Sequence, residues 1–193
     1  MTAAVFVDRD GVLNELVPRS TGQPESPLDP QQVALIPRAA AALLRLRNAG
    51  YVVVGVSNQP AAAKGTVDIE QLESVQARVL DLLERAGAAP DAFRLCFHHP
   101  EGVVPELTRV CDCRKPAPGM LLDAAAALDL DLNASWMIGD TDSDIAAGAA
   151  AGCRTILIEN PGSAHKRSGD AHPDAIAFDL AAAADLVVAS SAR

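Results

Sequence analysis

Short apolar runs separated by polar punctuation organise this chain. Ala4–Val7 reads as a buried strand ending in Asp8-Arg9-Asp10-Gly11, and Tyr51–Val56 (YVVVGV) as a second ending in Ser57-Asn58-Gln59. Ala92–Cys96 is a weaker third strand, Trp136–Ile138 a fourth and Thr155–Ile158 a fifth. These runs lack the in-out alternation of a half-exposed strand, which points to a parallel sheet covered on both faces. Helices fill the intervals. Pro37 suits the first position of a helix over Arg38–Asn48, with Gly50 closing it. Asp68 followed by Gln71 resembles a capping box, opening a helix that runs to about Ala86. Met120–Leu128 and Ser143–Ala151 are helical, and a last strand and helix occupy Ala175–Ser190. Alanine supplies 37 of the 193 residues, which supports helix but blurs helix faces.

Strand–helix alternation predicts an α/β fold, a doubly wound, Rossmann-like parallel sheet in a single domain over 1–193. Between Asp8 and Ser57 there is room for one helix and loops, so no large cap domain is expected. Phe97–Gly119 and Pro161–Pro173 read as irregular segments. Within the second, His165, Lys166 and Arg167 could reach an anion but read as a solvated loop.

Composition narrows the class. A formal charge of −9 and 49% hydrophobic residues exclude a disordered acidic tail and argue against an extended nucleic-acid or anionic-membrane surface. A chain of this length buries about 70% of its unfolded surface and needs no disulfides to hold a core. No basic leader is visible, and no apolar stretch approaches the roughly 20 residues of a membrane helix. The expected setting is the cytoplasm, where clustered cysteines suggest metal chemistry before disulfides.

Right-handed crossovers bring every strand's C-terminal end to one edge, where such sheets bind ligands. There the sequence sets Asp8, Asp10 and Asp140, at least three carboxylates near one point. Like charges that close repel unless a divalent cation joins them, and an oxygen set of this kind suits Mg²⁺ with a substrate phosphate. A carboxylate is a known nucleophile in phosphoryl transfer, which otherwise needs alignment and charge neutralisation. Asp8, Asp10, Ser57 and Lys115 would supply the parts. Singly, each has a bland reading: Asp-x-Asp is common, Ser57–Gln59 is a turn, Lys115 is a surface lysine, and Asp144 caps the following helix. Their order after successive strands favours chemistry.

Cys96, Cys111 and Cys113 with His98 offer three sulfurs and a nitrogen, a closed structural Zn²⁺ shell. Alternation turns Cys96 and His98 the same way and favours His98 over His99. Zinc here would staple the long loop that delivers Arg114 and Lys115. Cys153 reads as a small core residue.

FVDRDGVLN (6–14), SNQ (57–59), RKPAPGM (114–120) and IGDTDSDI (138–145) resemble the four motifs of haloacid-dehalogenase-type phosphatases. The resemblance implies Asp8 as nucleophile, Asp10 as general acid and base, and Ser57 and Lys115 as the phosphoryl-stabilising pair. It implies a Mg²⁺ site from Asp8, Asp140 and the carbonyl of Asp10, with Asp144 behind these ligands. The zinc loop, with 13 positions from His98 to Cys111, is similar to the heptose 1,7-bisphosphate phosphatase branch, whose histidinol-phosphate relatives have a shorter loop. That branch implies loss of a 7-phosphate in nucleotide-activated heptose biosynthesis. Arg114 would meet the second phosphate, and Asn58 and Gln59 would also bind substrate. The chain departs from the branch at Glu15–Ser20, which lacks a Gly-Tyr pair, and at Gln59-Pro60-Ala61. Expected partners are a small phosphorylated sugar and neither nucleic acid nor membrane, and the expected state is a monomer. Other readings are a histidinol-phosphate or another small sugar-phosphate phosphatase, a receiver-like phosphoacceptor domain, and a zinc-stapled binding module without catalysis.

Overall fold

The computed structural model describes residues 1–20 and 22–191, so the single-domain expectation over 1–193 reaches residues outside that description. Its strands are β1 (Ala4–Val7), β2 (Val52–Asn58), β3 (Ala92–Cys96), β4 (Trp136–Gly139), β5 (Arg154–Ile158) and β6 (Ala175–Ala177). The helices are α1 (Ala39–Asn48), α2 (Ile69–Arg85), α3 (Gly119–Leu128), α4 (Asp142–Ala151) and α5 (Leu180–Ser191). The strands form one sheet in the order β3-β2-β1-β4-β5-β6, every pairing parallel.

Side-chain alternation along β1 divides the core between the two faces. Val5 and Val7 pack with Leu43 and Leu46 of α1, Val75 and Val79 of α2, and Val187 of α5. Ala4 and Phe6 face Met120 and Leu121 of α3 and Ala147 of α4. Both faces are therefore covered, and the unbroken apolar runs follow from that. Phe6 is fully buried, and truncating such a side chain to alanine typically costs about 3–5 kcal/mol.

Two expected helix starts differ in detail. Arg38 takes a left-handed conformation, φ 68°, so Pro37 lies in the preceding turn and α1 begins at Ala39. The main chain of Ile36 is still bonded to Leu13, and the chain must reverse before a helix can start. Asp68 caps α2 through Gln71 N at 2.7 Å, but the Gln71 amide donates to Leu28 O instead of returning to the cap. Only half of the box forms. β2 runs on to Asn58 because Ser57 and Asn58 still pair with Leu95 and Cys96.

Between β1 and β2 the chain provides α1, a short 3-10 turn at Pro30–Gln32 and loops, and no cap domain. Among the described residues, no helix is long and apolar enough to cross a membrane.

Candidate active site and metal centres

Strand order reverses between β1 and β4, and their neighbouring C-terminal ends open a crevice. Gly11 turns the chain away from β1 at φ +87°, and a Cβ there would run into the Asp140 carboxylate. The resulting cleft of about 240 Å³ is lined by Asp8, Asp10, Ser57, Asn58, Arg114, Lys115, Asp140 and Asp144, among others. Of the catalytic, substrate and Mg²⁺ residues expected from sequence, the structure brings all but Gln59 to its wall.

Lys115 is the hub. Its Nζ donates to Asp8 Oδ1 at 2.8 Å and to Val56 O at 2.8 Å, and pairs with Asp144 Oδ1 at 2.6 Å. The side chain is almost fully buried. Burial alone would disfavour its charge, but Asp144 and Asp8 outweigh burial and raise its proton affinity. Burial pushes Asp8 up to about 6, with Asp144 and Asp10 adding repulsion and Lys115 opposing them. Asp140 is driven well above the ordinary carboxylate range, first by burial and then by Asp8 and Asp144.

Carboxylate oxygens of Asp8, Asp140 and Asp144 lie within 4.8 Å of one another. Both carboxylate oxygens of Asp140 are buried without a hydrogen-bond partner among the described residues, an arrangement that a cation would satisfy. Asp144 differs. One of its oxygens faces Lys115, and the other accepts from Thr141 N and Oγ1 at 3.0 and 2.6 Å, so it both caps α4 and steadies the lysine. The donor set fits a magnesium-sized dication, with Asp140 the carboxylate free to hold it.

Asp10 has a separate set of partners. Arg9 Nε and Nη2 grip its two oxygens at 3.1 and 3.0 Å, Asn14 Nδ2 donates at 3.0 Å and Gln59 Nε2 at 2.6 Å. Burial opposes the charge, yet Arg9 and the hydrogen bonds outweigh it and hold Asp10 below its ordinary value. Gln59 lies behind Asp10 and Ser57 and lines the adjoining cavity with Pro60 and Lys64. It is buried, and both N–H groups of its amide are spent on Asp10 and on Ser57 Oγ at 2.9 Å, leaving no donor for a substrate. Ser57 Oγ accepts that bond, so its own proton remains available to the cleft. Asn58 lines the cleft but clamps the Lys115 main chain, donating to its carbonyl at 2.9 Å and accepting from its N–H at 3.1 Å.

The second cluster holds Cys96, His98, Cys111 and Cys113, the set expected for zinc. The sulfur–sulfur distances are 3.2, 3.2 and 3.7 Å, and His98 Nδ1 is 3.3 Å from Cys113 Sγ. A tetrahedral zinc with Zn–S of about 2.3 Å implies S···S of about 3.8 Å, so modest spreading of this group accommodates the metal. Burial, with Arg109 nearby, lowers the His98 proton affinity and favours the neutral ligand form. Burial and the neighbouring thiols push Cys113 up, a conflict that a bound dication removes. Cys153 is buried away from this group, and burial pushes it up to about 12.

Residues 112–183 match the HAD-hydrolase-like family model. The chain is 35% identical to the D-glycero-beta-D-manno-heptose-1,7-bisphosphate 7-phosphatase of Yersinia pestis over 98% of this chain and 96% of that one. It is 39% identical to the D-glycero-D-manno-heptose-1,7-bisphosphate 7-phosphatase of Thermosynechococcus vestitus, covering 95% and 94%. This chain belongs to the haloacid-dehalogenase-like hydrolases. The D,D-heptose 1,7-bisphosphate phosphatase from B. bronchiseptica, solved with magnesium and phosphate, superimposes with a TM-score of 0.76 at 28% identity, covering 97% and 99% of the two chains.

The mouth of this hydrolase holds residues that the sequence reading passed over. Lys64 and Lys166 also line the cleft. Val17 and Glu25 pair through their main chains, and this hairpin carries Glu25 to Lys166 Nζ at 2.6 Å and to His165 Nε2 at 3.5 Å. Arg167 donates to the carbonyls of Asp140 and Asn160, both at 3.1 Å. His165–Arg167 is therefore an anchored segment and not the solvated loop expected. No local signal marks these contacts, because Glu25 and Lys166 are far apart in sequence. Arg9 and Gln76 were also passed over. Gln76 did carry a signal, as a polar residue on the apolar stripe Leu72, Val75, Val79, Leu83 of α2.

Proposed function

We propose that this hydrolase is a magnesium-dependent phosphomonoesterase that works through an aspartyl-phosphate and removes the 7-phosphate of D-glycero-D-manno-heptose 1,7-bisphosphate. One observation carries the chemistry: Asp8 and the partnerless Asp140 meet at the switch point, with Lys115 bonded to Asp8. The kinship with named heptose bisphosphate phosphatases over nearly the whole chain supports the substrate and a role in nucleotide-activated heptose biosynthesis.

Asp8 Oδ attacks phosphorus in line as the phosphorus–sugar oxygen bond breaks. Asp10 gives its proton to the departing oxygen. It then takes a proton from the water that attacks the phosphoenzyme, and Asp8 is released. Charge on the arriving phosphoryl group raises the proton affinity of Asp10, offsetting Arg9 during the acid half. Ser57 and Lys115 stabilise the phosphoryl oxygens, and Asn58 keeps Lys115 in place. Asp8, Asp140 and the Asp10 carbonyl would hold magnesium, which would supply neutralisation of phosphate charge. Arg114 meets the second phosphate, where a planar guanidinium suits two-point recognition. Zinc at Cys96, His98, Cys111 and Cys113 is structural.

We read the chain as one domain acting as a monomer, since one chain supplies the whole cleft, and the reduced thiols suit the cytoplasm. Light scattering tests the monomer. The deciding experiment is phosphate release with Mg²⁺ from heptose 1,7-bisphosphate, other sugar bisphosphates and histidinol phosphate. Preference for histidinol phosphate overturns the substrate, and turnover by Asp8→Asn overturns the nucleophile.

A further inference from the structure

The most unusual group in the fold is a fully buried arginine. Arg9 is 0% exposed, and its cation lies between Asp10 and a glutamine from a helix. Nε and Nη2 form a side-on fork to the two oxygens of Asp10, while Nη1 donates to Gln76 Oε1 at 3.0 Å. Gln76 is itself buried, and its Nε2 has no hydrogen-bond partner. Stability alone does not explain this arrangement. Burying an ion pair costs several kcal/mol per ion in desolvation, and apolar replacements of such pairs are often neutral or stabilising. A glutamine on the apolar stripe of α2 adds an unsatisfied donor to that cost.

The geometry around Asp10 suggests what the pair does. A carboxylate offers about four lone-pair sites. Here Oδ1 accepts from Arg9 Nε and Asn14 Nδ2, and Oδ2 accepts from Arg9 Nη2 and Gln59 Nε2. Every site is filled, so the carboxylate is fixed in position and plane, and a proton can leave or arrive only as one contact yields. Arg9 provides half of the contacts and is braced from behind by Gln76.

We infer that Arg9, braced by Gln76, is a positioning residue that aims the Asp10 carboxyl for proton transfer to the leaving oxygen and from the attacking water. The inference rests on the phosphomonoesterase reading above and adds to it the α2 side chain that supports the acid–base group. In the first half-reaction the Asp10 O–H bond breaks as the phosphorus–oxygen bond breaks, and the proton ends on the sugar oxygen. In the second, a water proton returns to Asp10 as the aspartyl–phosphorus bond is hydrolysed.

The test compares leaving groups. An alkyl phosphate needs a proton on its departing oxygen, whereas p-nitrophenyl phosphate departs as a stable anion. The enzyme with Mg²⁺ is assayed on p-nitrophenyl phosphate and on the sugar phosphate that the wild type hydrolyses fastest in the panel above. General acid catalysis contributes about 10²–10⁴-fold, so Arg9→Met should lower kcat/KM for the sugar phosphate by about 30-fold or more. For p-nitrophenyl phosphate kcat/KM should fall less than about threefold, while kcat falls further because water attack still uses Asp10. Gln76→Met, which leaves the Arg9–Asp10 fork intact, should show the same selectivity at about three- to tenfold, and it carries the test if Arg9→Met does not fold. Arg9→Lys keeps the charge without the fork and should not restore the sugar-phosphate rate. Equal losses of kcat/KM on both esters, or wild-type rates from Arg9→Lys, overturn the inference. A wild-type chain that hydrolyses neither ester overturns the phosphatase reading itself, and this inference with it.

Discussion

Asp8→Asn should make the metal-free protein more stable at neutral pH. The Asp8 carboxyl titrates near 3.8 in an unfolded chain and at about 6 in the fold, chiefly because it is buried, with Asp144 and Asp10 close by. The folded value is raised, so its favourable contribution is complete below about pH 3.8 and is lost as pH rises through about 6. The gap between 3.8 and about 6, at about 1.36 kcal/mol per pH unit, places about 3 kcal/mol of destabilisation on the ionised side chain at pH 7.5. Asparagine removes the charge and keeps an oxygen to accept from Lys115 Nζ. In chelator, Asp8→Asn should therefore exceed the wild type by about 3 kcal/mol in urea unfolding at pH 7.5, or by about 6–12 °C in Tm. The advantage should shrink to nothing near pH 4. Magnesium stabilises the state that binds it, so it should nearly cancel the difference at 100 times Kd, where the gain is about 2.7 kcal/mol, and reverse the order near 1,000 times Kd, where it is about 4.1 kcal/mol. A variant no more stable than wild type at pH 7.5, or a gain that ignores pH, would refute the reasoning.

Removing zinc with a chelator that leaves Mg²⁺ in place should lower Tm and kcat together, because Lys115 lies two residues beyond Cys113; calorimetry with metal analysis checks this, and unchanged melting would count against a structural metal. Arg114→Met should raise KM for a sugar bisphosphate by about 10- to 150-fold while leaving KM for a monophosphate nearly unchanged, as expected when a charge-assisted hydrogen bond of about 1.5–3 kcal/mol is lost, read by steady-state kinetics on the two esters. Gly55→Ala should destabilise by about 1–3 kcal/mol in urea unfolding, since a Cβ there would overlap the Phe93 ring on the neighbouring strand.

The sheet was legible because strands covered on both faces must be apolar throughout, and the runs at Ala4–Val7 and Trp136–Ile138 have no other use; Ala92–Cys96, with Arg94 at the sheet edge, gave the weaker signal. The residues after each strand were legible for a topological reason, since a parallel sheet collects them at one edge. What stayed hidden were contacts made between elements. Nothing near Gln59 in sequence indicates that its amide N–H groups go to Asp10 and Ser57. The first helix begins late because Ile36 remains bonded to Leu13, a pairing that no helix propensity reports. His165–Arg167 looked solvated because its composition is polar, but its partners Glu25 and the Asp140 carbonyl come from other loops.

The net charge of −9 is a poor guide to the ligand because both signs of charge line the cleft. Carboxylates form one group: Asp8, Asp140 and Asp144 around Lys115, with Asp10 held by Arg9. Arg114, Lys64 and Lys166 line the same cleft, the last paired with Glu25. At physiological ionic strength the field of distant surface acids is screened beyond about 8 Å, so an approaching phosphate responds to these nearby charges more than to the total. Among the carboxylates the sign changes only with a dication, because the Asp140 carboxylate has no hydrogen-bond partner among the described residues and Lys115 is shared among three acceptors. The buried carboxylates that make the metal-free site unfavourable are thus the same groups that make magnesium and phosphate bind together. Removing the Asp140 carboxylate should therefore weaken phosphate binding as well as magnesium binding.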